Sequence, residues 1–545
     1  MKCSESVPDG VNTVAPRLDG RFSALGVVKD TSPHQPMDRR DFLKIAATSP
    51  LAAAACSSTA RDFSRDFELD EVSVSSLQAG MESGKWNAHS ITQLYLDRIR
   101  QLDRSGPELK AIIDLNPDVL KIADALDAER KAGKSRGPLH GIPVLLKDNI
   151  NTLAPLTTTA GSLALQGCIS PQEAVITKRL REAGGIILGK ANMSEWANFR
   201  SGRSTSGWSA RGGQSRNPYV LNRSPFGSSS GSAVAAAANL CAVTIGTETD
   251  GSIVSPAAVC GVVGLKPSVG LVSAEGVIPV AHSQDVPGPI CRSVADAALV
   301  LSVISGHYYA GSLKQDGLKK TRIGVVRDRM IPDRQIERLM NSALETMKAE
   351  GAELIDIEGF GKEEAPEFEV LLYEFKTDLN AYFASLDGRF RELTLKKLIE
   401  FNTQNANAEL AMFGQEIFEQ AEAKGPLTDA AYLKALEDCR RISRTDGIDA
   451  ALAKHKVDAF VAPTCGPASV INPGNGDVYV GNTPALPAIA GYPHITVPAG
   501  FAGELPVGIS FFGSAGSEPY LIRLAFAFEQ ATKLRRRPRF LPMWS

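Results

Sequence analysis

Gly227-Ser228-Ser229-Ser230-Gly231-Ser232-Ala233 and Gly246-Thr247-Glu248-Thr249-Asp250-Gly251-Ser252-Ile253 are the two segments around which the chain is organised. The alanine-rich run 233–238 separates them. Because alanine is the best helix former, we expect a thin, buried helix at this run. The flanking glycines would present backbone N–H groups that no side chain covers. Two serine clusters held close together by a stiff spacer indicate a reaction centre.

Helix and strand patterns alternate on both sides of this centre. The sequence predicts strands at 111–114, 141–150, 185–189, 322–326, 457–464, 495–498 and 507–512. It predicts helices at 91–99, with Ser90 as the cap, and at 119–130, 174–183, 294–304, 334–350 and 517–532. Residues 192–226 read as a long functional loop. The stretch 363–455 reads almost entirely as amphipathic helix, either a cap over the site or outer packing. Interleaved strands and helices predict a layered α/β fold.

The composition is that of an ordinary globular protein. Of the 545 residues, 43% are hydrophobic and 22% are charged, and the formal net charge is −2. This balance gives no reason to expect a nucleic-acid partner. The seven histidines are scattered, and the eight cysteines never form a CxxC pair. We therefore expect no metal site and no disulfide framework.

The N-terminal 60 residues are predicted to lie outside the folded domain, which we place at 61–545. Residues 1–36 are polar and aperiodic. Arg39-Arg40, a short apolar stretch and the small residues before Cys56 are typical of a twin-arginine export signal and predict a periplasmic protein. The alternatives are a lipid anchor on Cys56, which is the one predicted membrane contact, and an accidental arginine pair in a cytoplasmic protein. Either Met1 or Met37 could be the start.

Two kinds of serine chemistry are compatible with the centre. Gly227-x-Ser229-x-Gly231 matches a nucleophile elbow, but Pro225 would break the strand that an elbow needs. A lysine can replace histidine as the base if burial lowers its pKa toward neutrality. Lys147, at the end of an apolar strand, is the best candidate. The alternative is a surface lysine paired with Asp148.

With these residues in view, the chain resembles the amidase signature family, hydrolases with a Ser–Ser–Lys triad. The resemblance covers about residues 70–540 and rests on five motifs in the family's order and spacing. They are Gly141-Ile142-Pro143 to Lys147-Asp148-Asn149, Gly189-Lys190-Ala191-Asn192-Met193-Ser194-Glu195, the two segments quoted first, and Gly261-Val262-Val263-Gly264-Leu265-Lys266-Pro267. The implied fold is a large, mixed, twisted β-sheet covered by helices on both faces.

The resemblance also implies roles for single residues. Ser252 would be the nucleophile, Lys147 the neutral base, and Ser228 the bridging serine after a cis Gly227–Ser228 bond. Backbone N–H groups would form the oxyanion hole, those of Thr249, Asp250 and Gly251 together with that of Ser252 itself. The implied reaction is hydrolysis of a carboxamide to a carboxylate and ammonia or an amine, without a cofactor.

Several alternatives stay open within this resemblance. Asp250 stands where many members have glycine, and its carboxylate could steer substrate amines or hydrogen-bond within its loop. Some motif details resemble the bacterial peptide-amidase-like branch, so the substrate could be a small-molecule amide or a peptide C-terminal amide. The rivals are a glutaminase-type subunit of a tRNA-dependent amidotransferase and an inactive binding protein on the same fold. Arg200, Trp208 and Arg211 could line the entrance or simply pack the loop. The oligomeric state is left as monomer or homodimer.

Overall fold

A large mixed β-sheet carries the fold in the computed structural model, which describes residues 67–361 and 363–544. Eleven strands lie in the order β1-β3-β2-β6-β8-β7-β12-β13-β11-β9-β10, and β4 and β5 form a separate pair in the described chain. The strand bounds are β1 Ile112–Leu115, β2 Pro143–Lys147, β3 Ile186–Ala191, β4 Trp208–Ser209, β5 Gly213–Gln214, β6 Val243–Glu248, β7 Val263–Lys266, β8 Val286–Cys291, β9 Arg322–Val326, β10 Glu353–Ile357, β11 Ala459–Pro463, β12 His494–Ala502 and β13 Leu505–Phe512.

Helices flank this sheet and fill the segment between β10 and β11. The α-helices are Val74–Glu82, Ala88–Leu102, Val119–Lys131, Val175–Glu182, Ser230–Ala237, Val254–Val259, Val294–Ser305, Arg334–Ala349, Glu367–Ala384, Leu395–Gln404, Ala406–Glu409, Glu416–Glu422, Ala430–Arg440, Asp449–His455, Ala485–Ile489 and Glu518–Thr532, with a π-helical stretch at Arg441–Ile448. The predicted mixed α/β architecture is confirmed. No helix in the described ranges is long and apolar enough to span a membrane. The predicted export signal and Cys56 lie outside the described residues.

The sheet topology brings the two key sequence segments together. β2 pairs in parallel with β6, with Leu146 opposite Ile245. Because parallel strands end at the same edge of a sheet, Lys147 at the end of β2 comes next to the Thr247 end of β6. Crevices at the carboxyl ends of strands are the usual place for ligand sites in α/β sheets.

The predicted thin helix is confirmed at Ser230–Ala237, and all eight of its residues are buried. Its small side chains are required by close packing. A Cβ atom at Gly231 would lie 2.3 Å from the Ala111 carbonyl oxygen and 2.4 Å from that of Asn192. The helix can therefore lie directly on the backbone of neighbouring segments.

Three local predictions are corrected. The cap of the helix Ala88–Leu102 is Asn87, and Ser90 completes its capping box from inside the helix. Residues 353–357, predicted within no element, form β10, parallel to β9. Residues 285–289 contain two prolines and gave no strand signal, yet β8 lies between β6 and β7. Proline is tolerated there because the pairing of β8 with β7 covers only Ile290 and Cys291, beyond both prolines.

Candidate active site

Lys147 lies in the protein interior, and its amine is surrounded by hydroxyl and carbonyl oxygens. The side chain is completely buried. Nζ lies 2.7 Å from Ser228 Oγ, 2.8 Å from Thr247 Oγ1 and 3.1 Å from the Thr247 carbonyl oxygen. Asp148, the partner in the surface alternative, instead faces Lys190, whose Nζ is 3.8 Å from its carboxylate. The interpretation of Lys147 as a surface ion-pair residue is therefore wrong.

Burial shifts the ionisation of this amine. Burial lowers the pKa of Lys147 from 10.5 to about 7, although the carboxylates of Asp285 and Glu248 act to raise it. No carboxylate in the described part of the chain forms a salt bridge with Nζ. A neutral amine can use two N–H groups toward Thr247 and turn its lone pair to the Ser228 hydroxyl.

The two candidate serines are held by neighbouring pieces of backbone. The Gly227–Ser228 peptide bond is cis, as the resemblance implies. The N–H of Ser229 donates to the Ser252 carbonyl oxygen at 3.2 Å. Ser228 is fully buried, whereas Ser252 is 8% exposed. In the described chain no hydrogen bond joins their two hydroxyls. Of the two links expected in the triad, the structure therefore contains the one between Lys147 and Ser228 but not the one between Ser228 and Ser252. Such hydrogen bonds often tighten only when substrate binds.

The loop between β6 and Ser252 carries the expected oxyanion donors. Among the described residues, no acceptor takes the backbone N–H groups of Thr249 or Asp250. Gly251 has a φ of +73°, which a side chain would strain. Burial raises the pKa of Glu248, and the N–H of Gly251 is one of several groups that oppose this rise. The Gly251 N–H likewise makes no hydrogen bond within the described chain, so the N–H groups of Thr249, Asp250 and Gly251 are all free for a ligand.

A cavity of about 600 Å³ opens beside Ser252. Its wall contains the loop 249–252, Phe199, Leu371 from the helix Glu367–Ala384, and the segment around Tyr479. Through Leu371, the helix Glu367–Ala384 of the helix-rich segment covers part of the site, one of the two roles considered for that segment. Several large apolar side chains stand exposed near this mouth, namely Phe368, Val478, Tyr479 and Val480.

Other candidates from the sequence lie away from the cavity. Arg200 is fully buried and pairs with Glu195 and Glu409. Arg211 pairs with Asp114, and Trp208 packs its ring against Phe413 at 5.2 Å. These three residues pack the long loop and do not line the entrance.

One group among the described residues has the donor types for a metal ion. Ligand atoms of His282, Glu374 and Asp378 lie within 4.8 Å of one another. Hydrogen bonds within the protein already explain why these three side chains lie together. His282 Nδ1 is 2.8 Å from Asp378 Oδ2, and Glu374 accepts from the Ser283 N–H and the Tyr432 hydroxyl. The group joins the loop before β8 to the covering helix.

Sequence reasoning missed the residues that hold the triad in place. Thr247 offers two oxygens to Lys147, and Asn149 Nδ2 donates to Thr247 Oγ1 at 3.0 Å. Gln284 and Asp285 contact Thr249 from the loop before β8. Thr247 and Asn149 lie inside the quoted motifs, which is the signal that could have found them. Gln284 and Asp285 lie in no quoted motif.

Comparisons with known proteins agree with this geometry. Residues 90–522 match the Amidase family. A probable amidase of Arabidopsis thaliana is 41% identical over 506 residues, which are 88% of this chain and 93% of that relative. The solved native peptide amidase of Stenotrophomonas maltophilia is 50% identical with a TM-score of 0.84, over 87% of this chain and 100% of that one. A glutamyl-tRNA(Gln) amidotransferase subunit of a Synechococcus strain is 35% identical over 484 residues, 83% of this chain and 90% of the relative. The chain therefore belongs to the amidase family, hydrolases that act on the C–N bond of amides.

Proposed function

We propose that this amidase hydrolyses a carboxamide through an acyl-enzyme on Ser252, with Lys147 as the base and Ser228 as the proton carrier between them. The observation that carries the proposal is the fully buried Lys147 amine, 2.7 Å from Ser228 Oγ, with a pKa lowered by burial to about 7. An amine that is neutral near physiological pH can accept a proton, whereas a surface lysine cannot.

Acylation then proceeds by two linked proton transfers. Lys147 takes the proton of Ser228 while Ser228 takes that of Ser252, and Ser252 Oγ bonds to the amide carbonyl carbon. The negative charge passes to the carbonyl oxygen, which the N–H groups of Thr249, Asp250 and Gly251 stabilise. Donors of this kind are worth about 3–4 kcal/mol each in the transition state.

The tetrahedral intermediate next loses its nitrogen. Ser228 gives its proton to the leaving nitrogen and is reprotonated by Lys147, so that the C–N bond breaks and ammonia or an amine departs. Water then attacks the ester carbon while the same Lys147–Ser228 pair takes its proton. The carboxylate product leaves and Ser252 regains its hydroxyl.

The nucleophile is tested by replacing single serines of the cluster. Ser252→Ala should lower kcat for amide hydrolysis at least a thousandfold, because the acyl-enzyme cannot form. Ser232→Ala is the matched control, since its hydroxyl only donates to the Ile245 carbonyl within the scaffold. It should stay within about threefold of the unchanged protein. Ammonia release measures both, and wild-type turnover by Ser252→Ala would contradict the assignment.

For the substrate we propose the C-terminal amide of a peptide. The support is the 600 Å³ cavity, the apolar side chains Phe199, Val280 and Leu371 in its wall, and the exposed apolar residues near its mouth. Exposed apolar patches often mark ligand grooves. The peptide amidase at 50% identity supports the same substrate class.

A panel of amides tests this substrate class. We expect kcat/KM to rise by at least a hundredfold from acetamide to an N-acylated dipeptide amide with an apolar C-terminal residue, because the longer substrate fills the cavity. Free glutamine serves as the competing case, since the amidotransferase subunits are more distant relatives. A preference for acetamide or glutamine would contradict the peptide assignment.

We further propose that the protein is exported to the periplasm. The support is the Arg39-Arg40 pair and the short apolar stretch before Cys56. Replacing both arginines by lysine should leave the protein in the cytoplasmic fraction, and Cys56→Ser should change fractionation only if the cysteine carries lipid.

A further inference from the structure

Two consecutive residues before β8 hold Thr249, the first residue of the oxyanion loop. Gln284 Nε2 donates to the Thr249 carbonyl oxygen at 3.2 Å and to Glu367 Oε1 at 2.7 Å. The Thr249 hydroxyl donates to Asp285 Oδ1 at 2.6 Å. Asp285 is itself fixed, because Oδ2 accepts from the N–H groups of Val280 and Ala281 at 2.7 and 3.0 Å. Thr249 is therefore held at both its carbonyl and its side chain.

The carbonyl contact decides where an oxyanion donor points. The Thr249 C=O and the Asp250 N–H belong to one planar trans peptide and point in opposite directions. By holding the carbonyl, Gln284 turns the Asp250 N–H away from the loop before β8. That N–H has no acceptor in the described chain and belongs to a residue that lines the cavity.

Asp285 has a second relation to the site through its charge. Burial lowers the pKa of Lys147, and Asp285 is the first of two carboxylates that oppose this, the other being Glu248. Burial raises the pKa of Asp285 itself to about 6, with Asp378 adding to the rise. Asp285 is therefore anionic in the range around pH 7 where Lys147 titrates. His282 lies on the same loop between Glu374 and Asp378, and Asp148 faces Lys190.

We propose that Gln284 and Asp285 are positioning residues of the amidase reaction: by holding Thr249 at its carbonyl and its hydroxyl, they aim the Asp250 N–H at the oxyanion. The proposal rests on the proposed function, because it assumes attack by Ser252. Neither residue needs to touch the substrate, so their loss acts on kcat more than on KM.

The test compares Gln284→Met with Asp285→Asn in the full-length protein. Both should lower kcat by at least about tenfold, up to the hundredfold to thousandfold that the loss of a whole oxyanion donor costs, with KM within about threefold. A peptide aldehyde, whose adduct with Ser252 carries the same oxyanion, should bind more weakly by the same factor.

Two further variants separate positioning from simple stability. Thr249→Val removes the hydroxyl that donates to Asp285 and keeps the shape of the side chain, so kcat should fall and the peptide aldehyde should bind more weakly. It also replaces Asp285→Asn if that variant does not fold. Glu367→Gln keeps an acceptor for Gln284 and should remain within about threefold of the unchanged protein.

The outcomes are distinct. An unchanged kcat per folded molecule, or unchanged binding of the peptide aldehyde, in Gln284→Met or Thr249→Val overturns the proposal and leaves these residues a structural role. Absence of amide hydrolysis in the unchanged protein, or full activity of Ser252→Ala, instead overturns the proposed function.

Discussion

Three lysines are completely buried in the described part of the chain, and their neighbours show why one of them suits a base. Lys190 has Asp148 at 3.8 Å, and Lys266 donates to the carbonyl oxygens of Pro267 and Tyr492. Burial lowers the pKa of both to about 8 and that of Lys147 to about 7. Of the three, Lys147 is the one that contacts the candidate bridging serine. Burial of a lysine is therefore weak evidence for catalysis by itself. Contact between the buried amine and a serine hydroxyl is the feature that singles out Lys147.

The ionisation of Lys147 predicts the pH dependence of activity. Because the neutral amine is the reactive form, kcat/KM should rise tenfold per pH unit below about pH 7 and level off above it. Lys147→Met should lower kcat at least a thousandfold at every pH. A stopped assay of ammonia release between pH 5 and 9 measures both, and an acid limb centred near pH 4 would point to a carboxylate base instead.

The same residue predicts how stability changes with pH. The folded-state pKa of Lys147, about 7, lies below the unfolded value of 10.5, so the unfolded chain binds more protons between these values. The contribution of Lys147 to stability therefore rises with pH across this window. Relative to Lys147→Met, the unchanged protein should gain free energy of unfolding from pH 7 to pH 9.5. Denaturant titrations at the two pH values measure it, and a constant difference would contradict the lowered pKa.

How far the site can be predicted from sequence differs between its residues. Lys147, Ser228 and Ser252 stand in motifs whose composition is unusual for buried strands and turns, so they could be selected. Gln284 and Asp285 precede β8, whose two prolines remove the sequence pattern typical of a strand. Only long-range pairing brings β8 beside β6. Their contact with Thr249 is a consequence of sheet order, which local patterns do not contain.

At the scale of elements, a buried charge cluster ties the long loop 192–226 to the helical cover. Arg200 pairs with Glu195 of its own loop and with Glu409 at the end of a covering helix, and its guanidinium lies 4.2 Å from the Phe413 ring. All three charged side chains are buried. The loop, which the sequence marks as functional by its length, is thus ordered by contacts with a segment two hundred residues away.

Arg200→Met should destabilise the protein by about 3–5 kcal/mol, because it leaves two buried carboxylates without a cation. Burial already raises the pKa of Glu195 well above its usual value, and Arg200 opposes that rise. A carboxyl with a raised folded-state pKa loses its contribution to stability as pH rises, so the loss should be larger at pH 8 than at pH 5. Thermal unfolding at both values measures it. Arg203→Met, an exposed change in the same loop, should have little effect, and an equal loss in both variants would contradict the cluster.

At the scale of the whole molecule, the helical cover shares a core with the long loop 192–226, the active-site loop, which reaches the cavity at Phe199. One hydrophobic cluster joins Trp196 and Phe199 of the loop to Phe375, Phe383 and Phe418 of the covering helices. The Trp196 ring lies 6.0 Å from that of Phe418 and 6.3 Å from that of Phe383. The sequence predicted the helices of this segment but not where they pack. An amphipathic pattern shows which face of a helix is buried, but not which surface that face packs against.

A shared core predicts that the cover and the site unfold together. Phe418→Ala should cost about 3–5 kcal/mol, since a fully buried aromatic ring is removed from the cluster. Loss of amide hydrolysis, of tryptophan fluorescence and of helical circular dichroism should then shift to lower temperature in one common transition. Leu433→Ala is the control, because Leu433 is 52% exposed on the same helical segment and should leave the transition in place. If part of the helical signal melted first while hydrolysis persisted, the cover would be a separate folding unit, and the active-site loop would owe its order to the sheet alone.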